Sequence, residues 1–551
     1  MGKGVLVPGE VSATCAPAAR SPAAVPHRLL WLLTACVWLS AAGAAASPSS
    51  PQPAPTFNVH EYRVLGNTVL PVRDIETVLY PLLGDHKQLS DVEHARAALE
   101  KAYHAKGYGT VFVDIPPQDV TAEGIVRLRV TEGRLHERRV EGAKYFSGRQ
   151  VAAALPAAQV GTVPNLPELQ KELTALNSQT PDRSVAPILK QGPQPGTMDM
   201  DLKVTDKLPL HGSLEVDDNY TADTKPLRAT AALSYANLFS DLDDLTVQYQ
   251  DSPQSPGQVK VLNAAYALHP IWDGWRLSGI FIDSNSSVSS IGEGATGVLG
   301  TGEIYSLRAS YIPFTSTTTS QSVTLGYDYK HFTNSITEGG TAAPLVTPIS
   351  YSNLSLTYLG AWHVGWLEAV VSLTPDFGVR GAPNNPAAFE NDRYLGRPNY
   401  FYLRYDGSFT AHLPADFRLM VRLAGQATED PLVSNENYSI GGADGVRGYL
   451  EAEELGDAAL KGTVQAQTPT WSWRARHVIN AFWFYDAGRT HVLATLAGQP
   501  EYVMLRSWGT GANLLPDYWL TGTLTWAYPL TDGTYTRAHE GRILFIFRAA
   551  F

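Results

Sequence analysis

The chain has 551 residues and a formal net charge of −11, from 42 lysines and arginines against 53 aspartates and glutamates. That length exceeds one ordinary domain, and the acidic balance excludes nucleic acid as the main partner, because phosphate binding needs a basic face. Charged residues make up 17%, against ~25% in soluble domains, yet mean hydropathy is slightly negative, which excludes a bundle of membrane helices.

The first 46 residues read as an address. An apolar run over 29–42 follows Lys3, Arg20 and Arg28, and Ala44-Ala45-Ala46 fits a cleavage site before Ser47. This is the pattern of a secretory signal peptide, and the run is too short to span a membrane. A lipid-attachment box ending at Cys36 is the alternative, but it leaves little apolar sequence ahead of it. Both cysteines, Cys15 and Cys36, fall in this segment, so the exported chain would carry no thiol, which suits an oxidising periplasm. Residues 47–56 form a proline-rich linker. Proline removes backbone donors and clashes with the preceding turn, so no plug helix is expected there, and closing a pore falls to another element, a loop.

From Phe57 the pattern is mixed α and β. The spacing predicts a strand over 59–64, a helix over 72–82 and a second helix opened by a capping box, Ser90-Asp91-Val92-Glu93. Val92, Ala95, Leu99, Ala102 and Tyr103 share one face of it. Strands follow over 108–115 and 124–131. The order β-α-α-β-β then repeats: a strand over 135–140, a short helix over 147–155, a helix capped by Asn165 with Leu166, Leu169, Leu173 and Leu176 on one stripe, and strands over 183–189 and 197–204. The two units are assigned to 57–132 and 133–207.

From 208 to 551 the helical periods vanish and segments of ~10 residues alternate apolar and polar, as in outer-membrane strands. Phe401, Leu403, Tyr405, Gly407, Phe409 and Ala411 would face lipid, with Tyr402, Arg404, Asp406, Ser408 and Thr410 toward a polar lumen. Leu325 and Tyr327 against Thr324, Asp328 and Lys330 read the same way. In the last strand Ile543, Phe545, Phe547, Ala549 and the terminal Phe551 fall on one face.

One long connection, 429–458, is glycine-dense and carries Gly441-Gly442-Ala443-Asp444-Gly445-Val446-Arg447-Gly448-Tyr449. A connection this long in a compact protein is functional or disordered. Phe484-Tyr485-Asp486-Ala487-Gly488 follows on a strand. Arginine offers a planar fork that pairs bidentately with a carboxylate.

With these two motifs, with Asn177, Pro181-Asp182-Arg183 and Gly196-Thr197 in the second unit, the chain over 57–551 resembles the two-partner-secretion outer-membrane transporters of the haemolysin-activator type (ShlB/FhaC/HecB). They lie within the BamA-like superfamily that joins POTRA domains to a barrel. The resemblance implies two α+β periplasmic POTRA domains and a 16-stranded antiparallel transmembrane β-barrel. It implies a pore that recognises an unfolded exoprotein (a haemolysin, adhesin or toxin) through the POTRA domains and secretes it to the surface of a Gram-negative cell.

Arg447 and Asp486 would anchor the loop in the lumen. Gly441, Gly442, Val446, Gly448 and Tyr449 are the loop motif, and Phe484 and Gly488 flank the carboxylate. Phe551 would be the signal read by the barrel-assembly machinery, and outer-membrane lipid the surrounding partner. An assembly factor of the BamA or TamA kind is the alternative function. No enzyme motif, cofactor or metal site is expected: Asp217–Asp223 has Ala222 where a calcium loop needs glycine, and His86, His94 and His104 lack zinc-site spacing.

Overall fold

The computed structural model describes residues 56–551, apart from 121–122, 240–241, 269–273, 287, 292–295, 299, 337–344, 382 and 474–476. The expected signal peptide and 47–55 of the expected linker lie outside the described residues. The chain divides into two compact units, one ending at Lys207 and the other covering Leu208–Phe551.

The first unit contains the same arrangement twice. In the first repeat Ile125–Glu132 is central, with Glu61–Leu65 parallel to it and Val111–Asp114 antiparallel. Helices Val72–Leu79 and Leu89–Ala105 bury Ile75, Leu79, Val92, Ala95, Leu99 and Tyr103 against that sheet. In the second, Thr197–Asp206 is central between Arg134–Glu141, parallel, and Arg183–Gln191, antiparallel. Helix Leu166–Ser178 buries Leu169, Leu173 and Leu176, and its N-cap Asn165 accepts from the backbone of Glu168. The repeats share one backbone device. Gly66 and Gly142 each turn out of the first strand with φ near +90°, and a Cβ there would lie 2.4 Å from the Val130 carbonyl oxygen and 2.3 Å from that of Val204. Only glycine tolerates both the conformation and the approach.

Three local expectations differ from the structure. The 59–64 strand divides at His60, whose backbone bonds to Gly124 instead. The freed Phe57–Val59 pairs with Gly84–Lys87, a strand too short and polar to show a period. The capping box lies two residues earlier than expected: Gln88 is the N-cap and Asp91 the reciprocal partner.

The second unit is a closed antiparallel barrel. Its strands are Leu210–Asp217, Arg228–Ala236, Asp244–Asp251, Lys260–Leu268, Trp275–Asn285, Thr301–Thr315, Thr319–Ile336 and Leu345–Val364. Then follow Leu367–Gly378, Phe401–His412, Arg418–Thr428, Ala458–Gln467, His477–His491, Tyr502–Asp517, Leu520–Pro529 and Arg542–Ala550. Trp471–Trp473 resumes the line of Ala458–Gln467, since both pair with His477–His491, so the wall has 16 staves. Ile546–Ala550 pairs with Ser213–Asp217 to close it. Phe551 extends that seam through backbone bonds with Gly212 (3.0 and 3.2 Å), while its ring is exposed.

Apolar side chains at alternate positions, among them Leu325, Tyr327, Leu354, Leu356, Phe409, Leu423 and Trp483, are exposed on the outside. No helix among the described residues is long and apolar enough to cross a membrane; strands with this face cross one as a barrel. The chain enters and leaves the barrel at one end. The long connections 379–400 and 429–457 lie at the other, called here the far end. The interior is less uniformly polar than the alternation suggests: Val261, Ile282, Ile304, Phe332, Ile349, Tyr351 and Tyr402 point inward and pack as an apolar cluster.

Replacing Gly142 with alanine is expected to loosen the second repeat alone. The cost of the left-handed backbone, ~1–2 kcal/mol, adds to the contact with Val204. Limited proteolysis of the full chain should then show faster cleavage within 134–206 and unchanged cleavage within 57–132.

Candidate functional site

The 429–457 segment folds back against the inner wall instead of leaving it; Ala458 already belongs to the following strand. Its arms Tyr438–Ile440 and Glu454–Gly456 pair with each other, and the glycine-rich turn lies between them. Gly442 has φ +79°, and a Cβ there would lie 1.9 Å from the Glu451 carboxylate. Gly441 and Gly448 share the positive φ, and Gly448 sits against Ala527 and Pro529. Val446 and Tyr449 are buried with Ile440, Ala459 and Leu505. The Tyr449 hydroxyl donates to the Thr531 carbonyl at 2.6 Å, with the Arg506 carbonyl at 2.9 Å.

At the apex, Arg447 meets Asp486. Nε donates to Oδ2 at 2.8 Å and Nη2 to Oδ1 at 2.9 Å, the side-by-side geometry of a bidentate pair. The backbone N–H of Arg447 donates to the same carboxylate at 3.1 Å, and Nη1 to Gln465 at 2.8 Å. The guanidinium carbon stands 3.5 Å from the centre of the Phe484 ring, within cation–π range. Arg447 is 4% exposed and Asp486 fully buried. Burying either alone would be costly, and together each satisfies the other.

The strand motif acquires a physical reading. Phe484, Asp486 and Gly488 share the inward face of His477–His491: the ring supports the cation, the carboxylate holds it, and the bare Gly488 admits Val446, whose Cγ2 would lie 2.9 Å from a Cβ there. The structure thus brings together Arg447, Asp486, Val446, Phe484 and Gly488. Gln465 is the partner that sequence reasoning missed. Its alternation places it inward, but nothing in the sequence says that the arginine reaches it.

Three further attachments were also missed. Glu436 is buried and accepts from Lys330 Nζ (2.5 Å), Tyr351 (2.6 Å) and Tyr402 (2.8 Å), while Arg404 and Gln426 donate to its backbone carbonyl. Asp457 accepts from the backbone of Leu432 (2.7 Å) and Leu493 (2.6 Å) and from Arg393 (3.0 Å). Glu453 accepts from the backbone of Tyr535 and Thr536, each at 2.7 Å. The loop is therefore fixed at intervals along its whole length.

Asp217, Asp218 and Asp223 do not converge: they accept from Asn219, Phe545 and Thr221 respectively. His136, Glu137 and Asp199 meet on the surface of the second repeat, but His136 is paired with Asp199 and Glu137 with Arg139.

A fixed inner loop, a closed barrel and two small α/β repeats together match known proteins. The profile for the POTRA domain, ShlB-type, covers residues 57–133, and that for haemolysin secretion/activation protein ShlB/FhaC/HecB covers 196–514. The chain belongs to the ShlB/FhaC/HecB family. It is an outer-membrane barrel protein with an N-terminal POTRA domain on the periplasmic side. It is 23% identical over 402 residues to the outer membrane transporter CdiB of Escherichia coli, a match spanning 72% of this chain and 66% of that protein's length. It is 20% identical over 449 residues to the heme/hemopexin transporter protein HuxB of Haemophilus influenzae (80% and 78%). The structure of CdiB from E. coli superposes with a TM-score of 0.58 at 18% identity, covering 92% of this chain and 93% of that one. BamA from Haemophilus ducreyi lacking POTRA domains 1–3 gives 0.55 at 14% identity, covering 90% and 100%. These two likenesses concern the fold.

Arg447→Ala and Asp486→Ala should each free the 441–449 turn, because removing one partner of a buried pair strands the other, at ~3–5 kcal/mol. The double variant should be no worse than either single one. Protease access to this turn in the inserted barrel measures the effect; additive gains in cleavage would mean that the two residues act separately.

Proposed function

We propose that this protein secretes one large partner protein. The partner is captured unfolded in the periplasm by the two α/β repeats, taken as POTRA 1 and POTRA 2, and passed through the barrel to the cell surface. Family membership supports the reading, and the observation that carries it is the tethered loop: a glycine-rich segment fixed by Arg447 on Asp486 inside a closed wall. A passive diffusion pore has no use for such a tether or for the repeats. No catalytic constellation is proposed.

Capture needs little sequence demand on the client. Arg183–Gln191 is an outer strand of the second repeat, and Ile188 and Leu189 on it are exposed. An extended segment can add to such an edge through backbone pairing. Release of the loop would then open the route, with folding of the client outside as the driving force. The remaining assignments belong to the same proposal: residues 1–46 as signal peptide, 47–56 as linker, outer-membrane lipid around the wall, and Phe551 as the feature read by the barrel-assembly machinery.

Co-expression with a candidate exoprotein from the neighbouring gene, scored for release, tests this. The parent should release it. Arg447→Ala should give an inserted barrel that releases little, and deletion of 133–207 should abolish release. A chain that releases no exoprotein while its loss depletes other outer-membrane barrels would indicate the BamA-like assembly role instead.

A further inference from the structure

The far mouth of the barrel holds a compact element of its own. The 379–400 connection carries a short helix, Pro386–Asp392. Asn385 caps it by accepting from the backbone of Ala387 at 3.1 Å, and proline follows the cap, so its start is locally encoded. Its Phe389 is fully buried. The Phe389 ring stands edge-on to Tyr351 at 5.5 Å and 6.3 Å from Tyr400. Val261, Ile282, Ile304, Phe332 and Ile349 reach the same cluster from five successive staves, and Leu432 and Val433 of the tethered loop complete it.

A water-filled conduit for an extended polypeptide gains nothing from such a cluster. Large apolar side chains packed together favour the closed arrangement by the surface they remove from water. Both ends of the helix are pinned as well. The Asn384 side chain accepts from the backbone N–H of Ser352 (2.7 Å) and donates to its carbonyl (3.0 Å). The ladder with the neighbouring strand ends at the Asn353–Gly378 pair, and beyond it the Ser352 carbonyl also accepts from the backbone of Val379 (3.4 Å). At the other end Arg393 donates to Asp457 and to the Leu493 carbonyl.

We propose that helix Pro386–Asp392, with Phe389 seated among these side chains, is a stopper in the cell-surface mouth of the barrel. A passing client displaces it. Its trigger rests on the export reading; its closing role does not. Because Leu432 and Val433 form part of the seat, withdrawal of the tethered loop removes part of it, which couples the two elements.

Two measurements on the full chain test this. Phe389→Asp places a charge in the apolar seat and Phe389→Ala empties it. Each inserted barrel should show a several-fold rise in planar-bilayer conductance and greater sensitivity of cells to large antibiotics, with aspartate the stronger. Parental conductance from a properly inserted Phe389→Asp barrel overturns the stopper. Separately, Ser352→Cys with Asn384→Cys allows the helix to be locked, since the chain has no cysteine after Cys36. Once oxidised, the pair should lower client release several-fold, and reduction should restore it. Undiminished release with the crosslink formed overturns displacement. A parent that releases no client defeats the export reading, and the conductance arm then decides the stopper by itself.

Discussion

A wall standing in lipid must satisfy its own backbone. No water is available at that depth, so every strand needs a hydrogen-bonded neighbour on both sides and the sheet has to close on itself. Here closure falls to the pairing of Ile546–Ala550 with Ser213–Asp217, prolonged by Phe551 and Gly212. Closure also creates an inside. Alternation along each strand sends every second side chain into that space, and a charge that becomes buried there is expensive unless it is paired. The inward Lys330, Arg404 and Asp486 therefore set a demand for partners, and the 429–457 segment supplies them with Glu436 and Arg447.

This explains why the segment lies inside instead of extending into solvent. Exposed ion pairs contribute little, and a glycine-rich loop has much conformational entropy to lose. Arg447 overcomes that by making all its contacts at once: two parallel bonds to Asp486, one to Gln465 and a ring beneath. The geometry is selective. Lysine could not reproduce the fork, and a side chain at Gly488 would push Val446 out of place. Such a contact fixes the 441–449 turn, while Glu436, Glu453 and Asp457 hold the rest of the loop.

The barrel was legible because alternation is a local signal. The run from Phe401 to Ala411 showed which residues face out, and Tyr402, Arg404 and Asp406 do face in. The POTRA order was legible for the same reason, through helical stripes and caps. Arg447 and Asp486 could be joined only through a resemblance, because nothing local connects residues so far apart. Glu436 shows the limit. Alternation sends Lys330 and Tyr402 inward, yet their common partner lies in a loop with no period of its own. The strand Gly84–Lys87 was missed because four residues rich in charge carry no strand pattern. The helix Pro386–Asp392 was missed because seven residues, about two turns, give too few positions for a stripe.

The interior is divided in chemical character. Directional bonds dominate around Arg447, whereas apolar packing dominates around Phe389, with hydrogen bonds at the two ends of its helix. The two respond to different insults: packing fails when a charge or a void enters, and a fork fails when either partner is lost. They share one stretch of chain, since Leu432, Val433, Glu436 and Arg447 follow one another along the same loop, and Asp457 at its end holds both Leu432 and Arg393. A pull on that loop is transmitted to the stopper helix through Asp457 and to its seat through Leu432. Closure of the far mouth and docking of the arginine are therefore two expressions of one folded state.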